Sequence, residues 1–354
     1  MISTWKRLQE HPEKREYLIK RSRIVDAIRH FFKSDGFLEV DTPLLVRSPG
    51  TEPYLEVFET QLLDSSRNAQ PAYLLTSPEY ALKKLLVAGF PKLFSICKSF
   101  RNAEGLSFKH NPEFTIMEWY RTQSDYTDIM KDCEALFVAI ARILDPLQQG
   151  STTTWTYQGK SYDLTPPWER ISVAQAFERY CGIDSHTLLD EKLLKEAGHK
   201  RGFRIDADTT WEQVYNQFFL NDIEPHFGVD HPTIIYDFPV SQASLSKKKE
   251  SDPRFAERFE FYVAGIEMGN AFSELTDAVE QRTRFEAELK ERAALGKTAY
   301  KLDADYLEAI EAGLPPTGGI AVGIDRIVMF FADAPEISDV VVFPATELWG
   351  TSLN

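Results

Sequence analysis

Apolar residues recur at helical spacing near the beginning of the chain. Between residues 13 and 32 they fall on one face while arginine and lysine occupy other positions, so the spacing predicts an amphipathic helix. The apolar face is formed by Tyr17, Ile24, Ile28 and Phe31. Gly36 follows as a stop signal, and the alternating residues 37–43 predict a short strand that Pro43 ends or places on a sheet edge.

The rest of the pattern consists of short strands and helices. Strands are predicted at residues 55–63, 72–75, 93–100, 114–120 and 233–238, and residues 259–269 and 319–328 are strand-like or begin as strands. Helices are predicted at residues 80–88, 126–144 and 280–295, and further charged helices contain residues 174–180 and 188–196. Polar loops join the strands more often than helices do, which favours an α+β fold in which helices flank an antiparallel sheet. Since no linker rich in Gly, Ser or Pro divides the chain, we expect residues 1–354 to form one domain.

Composition narrows the function classes. The chain is 43% apolar and 12% aromatic, which is enough for a large core and excludes disorder of the whole. With 40 Lys and Arg against 54 Asp and Glu, the formal charge of −14 gives no general attraction to a phosphate backbone. The three cysteines, Cys97, Cys133 and Cys181, form no C-x-x-C pair, which argues against a disulfide scaffold or a cysteine zinc site. With no apolar run of membrane-spanning length and no signal-peptide pattern, we expect a soluble, cytoplasmic protein.

The first segment whose residues indicate chemistry is 100–120. It reads as a strand, a polar loop carrying Arg101, Lys109 and His110, and a return strand that begins with Phe114. An arginine at a strand end beside an aromatic ring suits a nucleotide, because the guanidinium pairs with phosphate and the ring stacks on the base. The same composition also fits a solvated hairpin loop.

The second segment carries Glu267 and Glu274 among apolar neighbours. Buried carboxylates need a partner or a metal, and Mg²⁺ held by one or two carboxylates together with substrate phosphates satisfies that need. The spacing between the two glutamates puts them on opposite faces of a straight strand. Both therefore reach one ion only if the chain bends near Gly269 and Asn270, and otherwise one of them lies on the solvent face.

The third segment is a glycine-rich junction of strand and helix. Its glycines are Gly318, Gly319 and Gly323. They allow another backbone or a ligand to approach closely. Asp325 and Arg326 follow where the strand gives way to an apolar helix, a place where phosphates are commonly held. By itself such a junction is weak evidence of function.

Taken together, these segments make the chain resemble the class II aminoacyl-tRNA synthetases, and within that class it is most similar to lysyl-tRNA synthetases. The three motifs of the class correspond to the long helix and strand ending at Pro43, the hairpin of Arg101, and the strand–helix junction at Arg326. The matching strings are Ser77-Pro-Glu-Tyr80, Phe100-Arg-Asn102, His110-Asn-Pro-Glu-Phe-Thr115, Met117-Glu-Trp-Tyr120, Gly269-Asn-Ala-Phe-Ser-Glu-Leu-Thr-Asp277 and Gly323-Ile-Asp-Arg326. The first motif helix begins within about 15 residues of Met1, so we expect the chain to lack the N-terminal OB-fold of a lysyl-tRNA synthetase. In this respect the chain resembles the paralogues that ligate (R)-β-lysine to elongation factor P.

The resemblance implies an ATP-dependent ligase. ATP would activate the carboxylate of (R)-β-lysine as an acyl-adenylate, which a lysine side chain of elongation factor P then attacks. The implied catalytic residues are Arg101 and Arg326. The implied ATP-binding residues are Arg101, Asn102, Glu104, His110, Asn111, Phe114, Glu274, Leu275, Gly323 and Arg326. The amino acid would contact Ser77, Pro78, Glu79, Glu118, Tyr120, Glu280 and Ala321, and Mg²⁺ would be held by Glu267 and Glu274.

Two positions depart from the lysyl-tRNA synthetase pattern. Ala103 stands where an acidic residue usually follows Arg-Asn, and Glu104 beside it is the candidate for that carboxylate. Ala321 stands where those enzymes carry glycine. The alternative function is a free-standing lysyl-tRNA synthetase-like enzyme acting on α-lysine and tRNA, although the charge of −14 makes tRNA the less expected acceptor. A homodimer is expected, since the Pro43 motif lies at the subunit interface in this class.

Overall fold

The computed structural model describes residues 3–103, 110–147, 153–298 and 300–350, and the elements below are those of these residues. The strands, numbered in chain order, are β1 (Leu38–Glu39), β2 (Leu45–Val46), β3 (Glu59–Leu63), β4 (Ala69–Leu74), β5 (Lys92–Phe100), β6 (Glu113–Thr122), β7 (Thr154–Tyr157), β8 (Lys160–Asp163), β9 (Glu169–Ser172), β10 (Thr233–Pro239), β11 (Phe255–Val263), β12 (Ile266–Ser273) and β13 (Thr317–Gly323). The helices are α1 (Thr4–Glu10), α2 (Glu13–Ser34), α3 (Glu79–Val87), α4 (Tyr126–Leu144), α5 (Val173–Cys181), α6 (Ser185–Leu189), α7 (Glu191–Arg201), α8 (Trp211–Phe218), α9 (Ala278–Ala294), α10 (Ala304–Gly313), α11 (Ile324–Ala332), α12 (Ile337–Val340) and α13 (Ala345–Trp349). There is also a π-helical turn at Phe219–Ile223, with 3₁₀ turns at Glu224–His226 and Val240–Gln242.

The centre of the fold is an eight-stranded sheet with the order β1-β5-β6-β13-β12-β11-β10-β9. Neighbouring strands from β5 to β10 run antiparallel, and β1 and β9 pair in parallel at the two edges. The hairpins β5–β6 and β11–β12 are local, whereas β13 is inserted between β6 and β12 from much later in the chain. The predicted α+β fold, with helices flanking an antiparallel sheet, is confirmed.

One face of the sheet is covered by α2, α4 and α11. The contact is apolar because alternate strand residues point to this side, and in β6 these are Met117 and Trp119, both fully buried. The amphipathic helix predicted near the start of the chain meets them, since Ile24, Ile28 and Phe32 are completely buried. The rings of Phe32 and Trp119 lie 4.9 Å apart. This core fixes one side of the sheet and leaves the other side available to polar groups.

The opposite face is only partly covered. α3 packs on β5 and β6, and α10 packs on α3, which buries Leu82, Tyr120, Phe285 and Tyr306 together. A separate apolar core joins α5 and α8 to β10 near the other edge. The middle strands keep a polar surface between these two packed regions. No helix in the described ranges is long and apolar enough to cross a membrane.

A polar clamp joins three segments that are far apart in sequence. The Asp325 carboxylate at the start of α11 accepts a hydrogen bond from the Thr115 backbone N–H at 2.9 Å and pairs with Arg21 of α2 at 2.6 Å. Arg21 also donates to the Thr115 hydroxyl at 2.9 Å. Asp325 is buried, so both partners are needed to compensate for its desolvation. The clamp holds the junction of β13 and α11 against β6.

The predicted helices and strands agree with the observed ones along the regular segments. They differ where a turn or a helix cap interrupts the pattern. Helix α4 has the predicted bounds, Tyr126–Leu144, and Asp125 caps it by accepting two backbone N–H groups. Residues 259–269 span a hairpin in which Ala264 and Gly265 both have positive φ, as a tight two-residue turn requires. The predicted helix at 188–196 is divided at Asp190, whose side chain caps α7. The short strands β7, β8 and β9 lie in a stretch for which the pattern indicated no strand.

Candidate active site

A cavity of about 390 Å³ lies on the polar face of the sheet. Strands β6, β11, β12 and β13 line it, together with the loop before β3, the end of β5 and the first turn of α11. Alternation along β6 points Phe114, Ile116 and Glu118 into it. A second cavity of about 920 Å³ adjoins the first, and Ser77 and Glu79 line both.

Basic and aromatic side chains line one region of the smaller cavity. The guanidinium carbon of Arg101 lies 5.2 Å from the centre of the Phe114 ring, which is within the range of a cation–π contact. Arg326 donates to the Glu267 carbonyl at 2.7 Å, pairs with the Glu267 carboxylate at 3.2 Å and approaches His110 Nε2 at 3.4 Å. The structure thus brings four predicted nucleotide residues into one cavity. Two arginines beside an aromatic ring supply charge for phosphates and a surface for a base.

Acidic side chains line another region. Glu118 is almost completely buried and accepts hydrogen bonds from Ser77 Oγ at 2.6 Å and from the Tyr120 hydroxyl at 2.8 Å. Burial and the charge of Glu79 raise the pKa of Glu118 to about 8, against the lowering effect of the two hydroxyls. A carboxyl in this state gives up its proton when a cation arrives beside it. Three of the predicted substrate residues therefore form one hydrogen-bonded unit.

Lys83 connects two further carboxylates. Its ammonium is completely buried and pairs with Glu79, one turn earlier in α3, and with Glu274 at 2.5 Å. Burial would lower the pKa of Lys83, but the two carboxylates raise it well above its usual value. Burial also raises the pKa of Glu274 to about 8. Because two carboxylates share one ammonium, this cluster carries an excess negative charge or retains a proton.

Two small residues of β13 lie against side chains of the acidic region. Gly319 lies opposite Tyr120 in the register of β13 and β6, and a Cβ at this position would overlap the Tyr120 ring and the Glu274 carboxylate. Ala321 lies opposite Glu118 and lines the cavity. The methyl group of Ala321 is therefore part of the wall beside the acidic region.

A β-bulge decides which carboxylates share a face. The register of β11 and β12 shifts between Phe261 and Tyr262, so Met268 is the extra residue of β12. On a straight strand Glu267 would face away from Asn270, but the bulge resets the alternation and both line the cavity. The bend that a shared face for Glu267 and Glu274 would require near Gly269 and Asn270 is present as this bulge at Met268.

The carboxylate that shares the cavity with Glu267 is Glu260 on the neighbouring strand. Burial raises the pKa of Glu260, Arg258 opposes that rise, and the charge of Glu267 adds to it. Glu274, the partner predicted for Glu267, does not line the cavity and pairs with Lys83 instead. Within the described ranges no group of three or more His, Cys, Asp or Glu side chains could hold a metal. Since Mg²⁺ needs only one or two carboxylates when phosphates supply other ligands, Glu260 and Glu267 fit that ion.

Only some of the remaining predicted nucleotide residues line the cavity. Asn111 and Gly323 line the cavity. The Asn111 amide is also engaged in hydrogen bonds with nearby backbone groups. Asn102 and Leu275 do not line the cavity, and Leu275 is buried in the fold. Glu104 lies outside the described residues.

Glu280 does not reach the cavity, contrary to its predicted contact with the amino acid. It lies in the first turn of α9, where its carboxylate pairs with Arg284 at 2.6 Å and with Lys248 at 3.1 Å. The pairing with Arg284 is the usual contact between residues four apart on a helix, and it turns the carboxylate along the helix surface. Pro78 lines only the adjoining larger cavity, immediately before α3.

Three charged residues line the cavity without having been indicated by the sequence analysis: Glu52, Arg258 and Glu260. Arg258 and Glu260 alternate with phenylalanines in β11, so the argument applied to Glu267, a charge within an apolar strand, also indicates them. Arg258 donates to Glu260 at 2.6 Å and to Asn270 at 3.1 Å. Glu52 lies in a loop without periodicity, and no sequence pattern indicates it.

Comparison with known proteins identifies the family to which the chain belongs. Residues 4–347 match the family described as tRNA synthetases class II (D, K and N). The chain is similar to the lysine–tRNA ligases of Moorella thermoacetica (40% identical over 337 residues), Listeria monocytogenes (39% over 335 residues) and Pelotomaculum thermopropionicum (38% over 341 residues). Each match covers 94% of this chain and 66%, 64% and 64% of the respective relative, so the chain spans about two thirds of the length of these curated relatives. The chain belongs to the class II tRNA synthetases of the D, K and N group, and its fold is that of their catalytic domain.

Proposed function

We propose that this chain activates a lysine-type amino acid with ATP, forming an aminoacyl-adenylate, and transfers the acyl group to an amine. The observation that carries the proposal is one cavity with arginines and an aromatic ring in one region and buried carboxylates in another. The first region suits a nucleotide and a carboxylate, and the second suits the ammonium groups of lysine. The names of the similar lysine–tRNA ligases support lysine as the amino acid.

The nucleotide is held by residues from two of the motif segments. Phe114 and Arg326 offer surfaces for the adenine, and His110 and Asn111 line the same cavity. Arg101 pairs with the α-phosphate and with the carboxylate of the amino acid. Its contact with Phe114 restricts the orientation of the guanidinium before the substrates arrive.

Magnesium is assigned to Glu260 and Glu267, the two carboxylates that face the cavity from neighbouring strands. This replaces the pair Glu267 and Glu274, because Glu274 does not line the cavity and its carboxylate pairs with the buried Lys83. When bound, Mg²⁺ would neutralise the charge of the ATP phosphates. Arg326 pairs with Glu267 at 3.2 Å and Arg258 pairs with Glu260 at 2.6 Å, so each carboxylate is held in position by an arginine.

The chemistry consists of two substitutions without a covalent enzyme intermediate. A carboxylate oxygen of the amino acid bonds to the α-phosphorus of ATP, the bond from that phosphorus to the bridging oxygen breaks, and pyrophosphate leaves. An acceptor amine then bonds to the carbonyl carbon, AMP leaves with the electron pair of the C–O bond, and the amine loses a proton. Arg101 accelerates the first step by neutralising the negative charge that gathers between the two reacting groups.

The remote ammonium of the amino acid pairs with Glu118. The Ser77 and Tyr120 hydroxyls hold this carboxylate in place, and each of its oxygens can accept a further hydrogen bond. Glu79 contributes negative charge at the same end of the site. Because Glu118 lies at the buried floor of the cavity, a long side chain is needed to reach it.

We further propose (R)-β-lysine as the preferred amino acid and a lysine side chain of elongation factor P as the acceptor. The charge of −14 weakens any attraction to tRNA. The Ala321 methyl lines the cavity at a position where lysyl-tRNA synthetases carry glycine, and we infer that it disfavours an amino group on Cα and favours one displaced to Cβ. The second candidate is α-lysine with tRNA as the acceptor, which the names of the relatives favour.

The assembly we propose is a homodimer formed through the small sheet. This sheet has the order β2-β4-β3 and carries exposed apolar side chains at Leu45, Leu62 and Leu63. Exposed apolar side chains grouped on one small sheet are typical of a subunit interface.

Two measurements test the proposal. Exchange of labelled pyrophosphate into ATP, dependent on Mg²⁺ and on lysine or β-lysine, tests adenylate formation, with Arg101→Ala as the inactive control. Incubation with ATP, Mg²⁺ and labelled β-lysine, together with either elongation factor P or lysine tRNA, tests the acceptor. Label on the protein supports the proposal, whereas label on the tRNA alone refutes the acceptor and favours the second candidate. Absence of exchange with both amino acids would refute the activity.

A further inference from the structure

The described residues place five glutamates on the wall of the smaller cavity, and they differ in what neutralises them. Four have side-chain partners: Glu79 pairs with Lys83, Glu118 accepts from Ser77 and Tyr120, Glu260 accepts from Arg258 and Tyr262, and Glu267 pairs with Arg326. Glu52 is different. Among the residues that the structure describes, its own backbone N–H is the donor that reaches its carboxylate, and no side chain pairs with it.

Glu52 lies between the two chemically distinct regions of the site. Burial raises the pKa of its carboxyl and so does the charge of Glu79, whereas Arg101 and Arg292 lower it. Arg101, at the reacting end, and Glu79, in the acidic region, line the smaller cavity together with Glu52. Glu52 also lines the larger cavity. A cation bound beside the Arg101 end of the site would meet this carboxylate.

The loop that carries Glu52 is fixed by α9. Arg292 is completely buried and donates to the carbonyls of Glu52 and Leu55, both at 2.7 Å. The Thr51 hydroxyl donates to Glu288 of the same helix. A loop held at three points loses little entropy when a ligand binds, so the carboxylate is preorganised.

Gly50 gives the Glu52 side chain the space in which it lies. A Cβ at Gly50 would overlap the Glu52 carboxylate. The Gly50 carbonyl accepts a hydrogen bond from the Tyr300 hydroxyl, which fixes this end of the loop as well. The carboxylate is thus positioned by the backbone of its own loop and not by a competing cation of the protein.

We propose that Glu52 binds the amino group nearest the reacting carboxylate and thereby selects amino acids that carry two ammonium groups. The inference rests on the proposed function, because Arg101 defines where the reacting carboxylate lies. Each ammonium of the substrate then meets its own carboxylate, the remote one at Glu118 and the near one at Glu52. A ligand with only the remote ammonium, such as 6-aminohexanoate, leaves Glu52 uncompensated.

The experiment removes the charge from Glu52 and the near ammonium from the ligand. Pyrophosphate exchange is measured for the parent and for Glu52→Gln with lysine, β-lysine and 6-aminohexanoate. We expect the variant to lose about 10–100-fold in kcat/KM for lysine and β-lysine. We expect kcat/KM for 6-aminohexanoate to stay the same or rise, because the variant removes the carboxylate that this ligand leaves uncompensated, and KM for ATP to stay the same, because ATP places no cation at Glu52.

Glu56→Gln is the matched control. Glu56 lies in the same loop, is half-buried, pairs with Lys297 at 3.4 Å and does not line the cavity, so its neutralisation should change none of these parameters. Glu52→Asp keeps the charge but withdraws it by one methylene, and it should give a smaller loss with the two diamino acids only. Circular dichroism and thermal unfolding verify that each variant folds. If Glu52→Gln lowers kcat/KM equally for all three amino acids, or does not lower it for lysine, the inference is overturned.

A binding measurement separates this inference from the proposed function. A parent enzyme that supports exchange with none of the three amino acids refutes the function. Calorimetric titration of the parent and of Glu52→Gln with lysine and with 6-aminohexanoate, without ATP, still tests the subsite. Weaker binding of lysine alone in the variant supports it, and equal effects on both ligands overturn it.

Discussion

Replacing Glu118 by glutamine tests the acidic region through its pH dependence. Burial raises the pKa of this carboxyl to about 8 in the ligand-free protein, so at pH 7 most molecules carry the protonated form. A substrate ammonium pairs with the ionised form, and lysine binding should therefore release a proton. If only the ionised form binds, the apparent dissociation constant varies as 1 + 10^(pKa − pH). Lysine should then bind about 50-fold more tightly at pH 8 than at pH 6.

The assay is calorimetric titration with lysine at pH 6, 7 and 8, repeated in buffers of different ionisation enthalpy to count the released proton. Glu118→Gln cannot ionise, so the variant should bind lysine weakly and without this pH dependence. The affinity for ATP should not rise between pH 6 and pH 8 in this way, and it should not fall in Glu118→Gln, because ATP contacts other residues. A parent whose lysine affinity is flat between pH 6 and 8, or a variant that keeps the slope, would refute the reasoning.

The same carboxyl should also affect stability. Its folded-state pKa of about 8 lies above the ordinary value of 4.5, so the folded protein retains a proton that the unfolded chain releases. The resulting stabilisation is fully present below about pH 4.5 and is lost as the pH rises to about 8. The difference between the two pKa values corresponds to at most about 5 kcal/mol. The free energy of unfolding, measured with denaturant, should fall more between pH 5 and pH 8 for the parent than for Glu118→Gln.

Three further sets of changes probe other parts of the site. Glu267→Gln should slow adenylate formation by about 10²-fold or more, whereas Glu274→Gln should slow it less, because Glu274 does not line the cavity and pairs with Lys83. Exchange kinetics at varied Mg²⁺ measure both, and a normal rate for Glu267→Gln would contradict the metal assignment. Ala321→Gly should shift the kcat/KM ratio toward α-lysine over β-lysine by about 10–200-fold, and an unchanged ratio would mean that the methyl does not touch the ligand. Arg21→Ala leaves Asp325 without its cation and should lower the free energy of unfolding by about 3 kcal/mol. A loss below about 1 kcal/mol in denaturant unfolding would argue against the clamp.

Periodicity predicts the regular parts of the fold and those site residues that lie on regular elements. Alternation along β6 is enough to put Phe114 and Glu118 on one face, and the apolar spacing of α2 and α4 predicts the helices that cover the other face. The pairing of Glu267 could not be predicted in the same way. Spacing alone does not reveal the bulge at Met268, which reverses the alternation of β12.

The loop residue Glu52 was beyond prediction for a different reason. Its position depends on hydrogen bonds from Arg292, which lies 240 residues later in the chain. Lys83 likewise shows no sequence signal, because a lysine in an amphipathic helix is normally solvated. Only the three-dimensional fold brings it between Glu79 and Glu274.

The clamp of Arg21, Thr115 and Asp325 constrains how the protein can fold during synthesis. Its contacts join residues 94, 210 and 304 positions apart in the chain, and contacts of such separation form slowly because long loops must close first. Strands β6 and β12 both pair with β13, so on the ribosome each presents an open edge until β13 emerges. Open edges of nascent chains are sites of aggregation. We therefore expect translation pauses between β12 and β13 to reduce the yield of folded protein, even though the N-terminal helices and the β5–β6 hairpin are already complete.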